Sequence, residues 1–209
     1  MRPKTFSFSP ITASLTGFAS NVTGASWTIT TSAPTDGLAH QVTVRNDSVT
    51  DHSGKTITLV GTDAQGNALT ETLTGPGTSA TVTSTAFFKT LTSATPSATI
   101  GADTFDIGWA APSITQMFPV DYHSVTGGGI SLGVTVTGTI NFDVQHTLDD
   151  VFESISASQS ARWFDHSTIA ADTASVDGNY AFPVRAIRFL TNTVTNGATV
   201  VFTIIQGSR

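Results

Sequence analysis

The stretch Ser131-Leu-Gly-Val-Thr-Val-Thr-Gly-Thr-Ile-Asn-Phe-Asp-Val-Gln-His146 decides the fold class. Its apolar residues Val134, Val136, Ile140, Phe142 and Val144 recur mostly at every second position, the spacing that lays one face of a strand on a core. The end of the chain repeats the design with Val184-Arg-Ala-Ile-Arg-Phe-Leu190, a turn at Asn196-Gly197, and Ala198-Thr-Val-Val-Phe-Thr-Ile-Ile-Gln206. Asn-Gly between two alternating runs is the strongest short-range hairpin signal. The spacing therefore predicts a long hairpin over 131–147 and a second, closing hairpin.

Earlier segments carry the same signature. Lys4 to Phe8, Ile11 to Phe18, Ser26 to Thr31 and Leu38 to Val44 read as short strands, with the turn cluster Ser32-Ala-Pro-Thr-Asp-Gly37 before the last of them. Lys55 to Gly61 and Ala68 to Leu73 flank Asp63-Ala-Gln-Gly-Asn67, a hairpin with a short glycine-containing loop. Ala80 to Ser84, Phe87 to Ser93, Thr99 to Trp109 and Gln116 to Ser124 complete the set, the last leading to Gly127-Gly-Gly129. No fixed-period repeat is visible.

Composition agrees with this reading. The chain has 209 residues, of which 38 are Thr and only 11% are charged, about half the usual charged share. Threonine is β-branched and hydrogen-bonds across strands. The expectation is an all-β protein of two antiparallel β-sandwich or jelly-roll-like domains in tandem. Pro112 in Ala110-Ala-Pro-Ser113 denies the ladder a hydrogen bond, which places the boundary there and the domains at 1–112 and 113–209. A single continuous sandwich is the rival arrangement.

Charge and cysteine content exclude several functions. Nine basic residues stand against 15 acidic ones, for a net charge of −6, and no Lys/Arg cluster exists. Nucleic-acid binding needs a positive stripe, and a polybasic membrane anchor needs the same. With no cysteine there is neither a disulfide framework nor thiolate chemistry. The first ten residues lack the uninterrupted apolar region of a signal peptide, and no run approaches the roughly 20 apolar residues of a spanning helix. Synthesis in a cytoplasm is the expectation.

Between the two strand pairs lies a polar, aromatic connection. Leu148, Val151, Phe152 and Ile155 have helical spacing and predict one or two turns of helix, with nearby acids capping its backbone N–H groups. Residues 156–180 read as a long loop crossing the edge of a sheet, a length that usually binds or covers something. His146, Asp149, Asp150, Asp165 and His166 are metal-ligand types, but their spacing matches neither a helical His pair nor a calcium loop. A polar loop rim accounts for them better. Asp47 to Gly54 is rich in oxygen ligands, and turn chemistry explains the same residues.

No catalytic set assembles. The chain contains no Gly-x-Ser-x-Gly elbow, and the two glutamates, Glu71 and Glu153, fall in different halves. Gly127 to Gly129 leads into a strand rather than a helix, so it is no phosphate cradle. Trp109, beside Ile107 and Phe105, reads as core. Trp163, in Ala161-Arg-Trp-Phe-Asp-His166, is the better contact residue, since Trp and Arg are enriched at interface hot spots.

These residues resemble a known class. Val-Thr-Gly-Thr-Ile-Asn-Phe-Asp-Val-Gln-His-Thr-Leu-Asp-Asp (136–150), Ala-Arg-Trp-Phe-Asp-His (161–166), Phe-Pro-Val-Arg-Ala-Ile-Arg-Phe (182–189) and Thr-Ile-Ile-Gln-Gly (203–207) are similar to segments of small virion proteins of tailed bacteriophages. The passages 59–72 and 87–98 are similar in style to virion β modules. The resemblance implies a non-enzymatic structural protein of the virion, made in the host bacterial cytoplasm, without cofactor, catalytic residues or bound metal. Its leading role is a capsid decoration (cement) protein. A neck, tail or fibre-attachment component and a carbohydrate- or receptor-binding module are the alternatives, and a polysaccharide depolymerase is a more distant one. The implied partners are other virion proteins, the major capsid protein first, and further copies of the chain, a trimer by preference; nucleic acid and membrane are not among them. The expected interface comprises Arg162, Trp163, Phe164, His166, Phe182, Arg185 and Arg188.

Overall fold

A computed structural model describes residues 3–120 and 129–206. In chain order the strands are β1 (Lys4–Phe8), β2 (Ser14–Val22), β3 (Ala39–Asn46), β4 (Thr56–Thr62), β5 (Ala68–Thr74), β6 (Thr81–Phe88), β7 (Thr90–Pro96) and β8 (Phe105–Ile114). They continue as β9 (Phe118–Pro119), β10 (Ile130–Thr137) and β11 (Ile140–Thr147). After a six-residue helix, α1 (Ile155–Ser160), come β12 (Phe164–Asp165), β13 (Val176–Tyr180), β14 (Ala186–Val194) and β15 (Thr199–Gln206). The protein is all-β, and the strand pairs whose registers are resolved are antiparallel.

The chain divides into two units, Thr12–Ser113 and Met1–Ile11 with Ile114–Arg209. The expected boundary at 112/113 therefore lies one residue from the observed one, but the first eleven residues belong with the second half. The reason is pairing: β1 adds to β15 with Phe6 opposite Phe202 and Phe8 opposite Val200. One unit is thus inserted in the sequence of the other, rather than following it in tandem. Pro112 does not interrupt the chain either, since β8 runs through it to Ile114.

In the inserted unit, β3 lies between β8 and β6, β2 pairs with β8, and β4 lies between β5 and β7. Val42, Val44, Leu59, Phe88, Leu91, Phe105 and Ile107 are buried. Threonines face each other on the outward rows of the β5-β4-β7 sheet: Thr58 is opposite both Thr72 and Thr95, and Thr62 is opposite Thr90. The Thr62 and Thr90 hydroxyls are 2.7 Å apart. Ser26 to Thr31 is irregular rather than a strand, although Trp27 is buried beside Phe105.

In the flanking unit, one sheet has the order β1-β15-β10-β13, and β11 lies between β12 and β14 in the other, with β9 also on β14. Leu132, Val134 and Phe202 from the first share one core with Phe142, Val144 and Phe189 from the second. The unit is therefore a two-sheet sandwich. Of the predicted strand Gln116 to Ser124, Phe118–Pro119 is present, and residues 121–124 lie outside the described residues, as do Gly127 and Gly128.

Neither predicted hairpin in this unit is one. β10 pairs with β13 and β15, whereas β11 pairs with β12 and β14. Each strand–turn–strand passage is an arch that leaves one sheet and enters the other. The two arches nest, so that β10 meets β15 and β11 meets β14. Their turns also bond to each other, with Thr195 donating its backbone N–H to the Thr139 carbonyl at 3.0 Å. Gly138 makes this possible. Its φ is +83°, and a Cβ there would lie 3.0 Å from the Ala198 Cα. Only glycine meets both demands without strain.

Two further expectations are corrected. The helix occupies Ile155–Ser160 and buries nothing, instead of spanning Leu148 to Ile155. Its N-cap is Ser154, whose Oγ accepts the Ala157 N–H at 3.1 Å, so the neighbouring acids do not cap it. The reason is that only Val151 of the four spaced apolar residues finds a core. Residues 156–180 are not simply loop. Phe142 and Asp172 exchange backbone hydrogen bonds of 2.9 Å, and Val176–Tyr180 then pairs with β10. Backbone groups of β10 and β11 thereby gain partners, and β13 becomes the outer strand of its sheet.

Candidate interaction surface

The connection between β11 and β12 is tied shut at its base. Asp149 accepts the Arg162 backbone N–H at 2.7 Å and the Arg162 Nη2 at 2.9 Å. These bonds from Arg162, side chain first, hold the Asp149 carboxyl below the usual carboxylate range. A segment of this length with its ends together is an Ω-loop, a form that is frequently functional. Val151 anchors it, buried with Met117 and Ala186, and Trp163 and Ala161 pack alongside.

Three arginines gather around this loop. Arg185 donates Nε to Asp150 at 2.9 Å, and its guanidinium carbon sits 4.5 Å from the Phe152 ring centroid. Arg188 lies over Trp163 at 4.1 Å and donates Nε to the Gln145 Oε1 at 2.8 Å. Gln145 in turn donates to Asp165 at 2.9 Å. Burial lowers Arg188 to about 10, so it keeps its charge at neutral pH and is stabilised there by the ring face.

Beside them an aromatic cluster spans from β11 to β13. The His146 Nδ1 is 3.2 Å from the Tyr180 hydroxyl. The His146 ring centroid is 4.9 Å from that of Tyr180, 5.8 Å from Phe164 and 5.7 Å from Phe182. Burial, followed by the nearby His166, pushes the His146 imidazole below its ordinary value. Burial also raises the Tyr180 phenol, so the pair is a neutral imidazole beside a neutral hydroxyl. His166 receives the Thr168 backbone N–H on Nδ1 at 3.3 Å, which leaves Nε2 to donate to the Asn179 carbonyl at 3.1 Å.

The outer side of this assembly is apolar and open to solvent. Leu148 is 60% exposed, Phe152 43%, Phe164 49% and Phe182 49%. The four are linked through common neighbours. Phe164 and Phe182 both contact His146, and Leu148, Asp150, Pro183, Val184 and Arg185 line one open groove of about 280 Å³. Phe152 joins through Arg185. Single exposed apolar residues are ordinary on a protein surface; four gathered around the same neighbours are a candidate contact surface.

All seven residues expected at an interface fall in this region, in differing roles. Phe164 and Phe182 present their rings to solvent, and Arg162 and Arg185 form its ion pairs. Trp163 and Arg188 are partly buried and stacked on each other. His166 is only 3% exposed and supports the cluster from within. Sequence reasoning missed Leu148 and Phe152, whose spacing it read only as a turn or two of helix. It also missed Tyr180, 34 residues from its partner His146. One available signal was the run Ser154 to Ser160, which offers a helix at Leu148 no continuing apolar stripe.

The acid and imidazole groups considered as metal ligands are used otherwise. Asp149 and Asp150 bind arginines, Asp165 binds Gln145, and the two histidines bind Tyr180 and Asn179. Between Asp47 and Gly54, Asp51 accepts the Ser53 N–H at 2.8 Å in an Asx turn. Among the described residues no group of three or more His, Cys, Asp or Glu is arranged to hold a metal ion.

No family model matches the chain, and neither a curated protein nor a solved structure is significantly similar to it.

Proposed function

We propose that this chain is a non-enzymatic structural protein of a tailed-bacteriophage virion, a decoration or cement protein that binds the capsid lattice. The observation that carries the reading is the linked apolar surface of Leu148, Phe152, Phe164 and Phe182, set among paired charges on a rigid sandwich. A protein that must seal against many equivalent neighbours needs such a surface more than it needs a deep pocket. The resemblance of 136–150, 161–166, 182–189 and 203–207 to virion proteins supplies the class. Low charge and threonine-covered sheet faces suit a protein packed in an assembly, where symmetry multiplies a modest contact into avidity. The partners under this reading are the major capsid protein and further copies of the chain.

Copy number in purified particles tests the role. Quantitative mass spectrometry is expected to find on the order of hundreds of chains per head, as a lattice-bound protein of icosahedral symmetry requires. A count of roughly six to twelve, the multiplicity of a ring on one axis, would move the chain to the neck or tail. Absence from particles would end the virion reading.

A further inference from the structure

We infer that the surface formed by Leu148, Phe152, Phe164 and Phe182 is where one copy of this chain docks on another. This names the self-contact of the oligomer proposed above; it rests on that reading for the expectation that copies associate, and it assigns to a second copy, rather than to the capsid protein, the surface on which that reading stands.

Area is the first argument. With three phenylalanines near half exposure and Leu148 at 60%, the four side chains offer roughly 400 Å² of apolar surface, taking about 200 Å² for a whole aromatic side chain. A standard interface removes about 800 Å² from each partner, a little over half of it non-polar. The patch therefore supplies approximately the apolar half of one side of a stable contact.

Charge is the second. The chain carries −6, so two copies repel over most of their surfaces. Three of its six arginines, Arg162, Arg185 and Arg188, are concentrated here. Asp149 and Asp150 are paired to the first two, and Arg188 reaches Asp165 through Gln145. Among the described residues of the loop, Glu153 adds one further negative charge. A nearly neutral apolar patch on an acidic protein is the place where like copies meet at least electrostatic cost.

Preorganisation is the third. The Asp149–Arg162 clamp and the buried Val151 hold the Ω-loop before any contact forms, and this reduces the ordering cost of association.

Sedimentation equilibrium of the full chain tests the assignment. Wild type is expected to show mass above one chain, rising with concentration between about 1 and 100 µM, a range typical of modest interfaces. The double variant Phe152→Ser/Phe182→Ser is expected to weaken association by at least about tenfold, from the lost apolar burial. Its circular dichroism should match wild type, and its melting temperature should fall by only a few degrees and stay well above the assay temperature, because each ring is half in water and half packed, Phe182 on His146 and Phe152 under Arg185. Val60→Ser, at an exposed apolar position of the inserted unit, serves as the control and should associate like wild type. A wild type that stays monomeric through 100 µM overturns the inference, as does a double variant that associates normally. If the double variant keeps its oligomeric state but no longer binds particles, the surface belongs to the capsid partner and self-docking is again overturned. The particle copy number is read independently, so a failure here is distinct from failure of the virion reading.

Discussion

The two units draw on the same threonine- and valine-rich alphabet and use it differently. The inserted unit carries seven acidic side chains against three basic ones, and its polar groups are spent internally. His40, fully buried, lies 2.9 Å from Asp36 and 3.0 Å from the Ala110 carbonyl. His52 lies 2.9 Å from Asp103, and the Glu71 carboxylate accepts the backbone N–H groups of Thr85 and Ala86. Its β5-β4-β7 sheet faces outward largely with threonine, with Val60 among them. The flanking unit instead brings Arg162, Arg185 and Arg188 and the exposed Phe152, Phe164 and Phe182 to one surface. The contrast teaches that composition sets the architecture of both units, while the placement of a few large side chains separates a scaffold from a presenting face.

The largest effect that tests this contrast comes from the flanking core. Phe189 is fully buried and stacked on Phe142 at 5.0 Å. Phe189→Ala should cost about 3–5 kcal/mol, the usual range for a buried phenylalanine. Hydrogen exchange should show the loss in β11 and β14. If amides in β4 and β5 lose protection equally, the units unfold as one and the contrast is one of surface alone.

A smaller effect tests the nested arches. Gly138→Ala should destabilise by about 1–3 kcal/mol, from positive φ and the close Ala198 contact together. Gly133→Ala, on β10, has open space around its Cβ position and should stay within about 1 kcal/mol of wild type by chemical denaturation. Equal effects at the two positions would mean that the close approach of the arches carries no energy.

The gentlest test is acid. The folded state holds His146 below its ordinary value, so between that value and its lowered one the unfolded chain binds more protons than the folded. Stability is thus complete above about pH 6.5 and is lost as pH falls through the folded value. Thermal melts from pH 7.5 to 5.5 should show this decline, and His146→Gln should flatten it. A decline of the same slope in the variant would show that His146 does not carry the acid response.

Much of this was legible in the residue pattern. Alternation at Val134, Val136, Ile140, Phe142 and Val144 predicted strands, and strands are there. The seven residues expected at an interface lie in one region of the flanking unit, although their sequence positions, 162–166 and 182–188, are some 20 residues apart. The pairing partners were not legible. A hairpin and an arch both place apolar residues at every second position, and both accept Asn-Gly at the turn. Helical spacing at Leu148, Val151, Phe152 and Ile155 likewise could not reveal that one of the four, Val151, would be buried.

Local periodicity and low charge, read along the chain alone, determined that this protein is built of strands, because side-chain alternation is a property of each strand by itself. Only the tertiary structure decided which strands pair, why β1 joins the far end of the chain, and which aromatic rings face water. Those outcomes depend on contacts between residues remote in sequence, such as Gly138 with Ala198 and His146 with Tyr180. Their free energy appears only when two sheets close over a shared core.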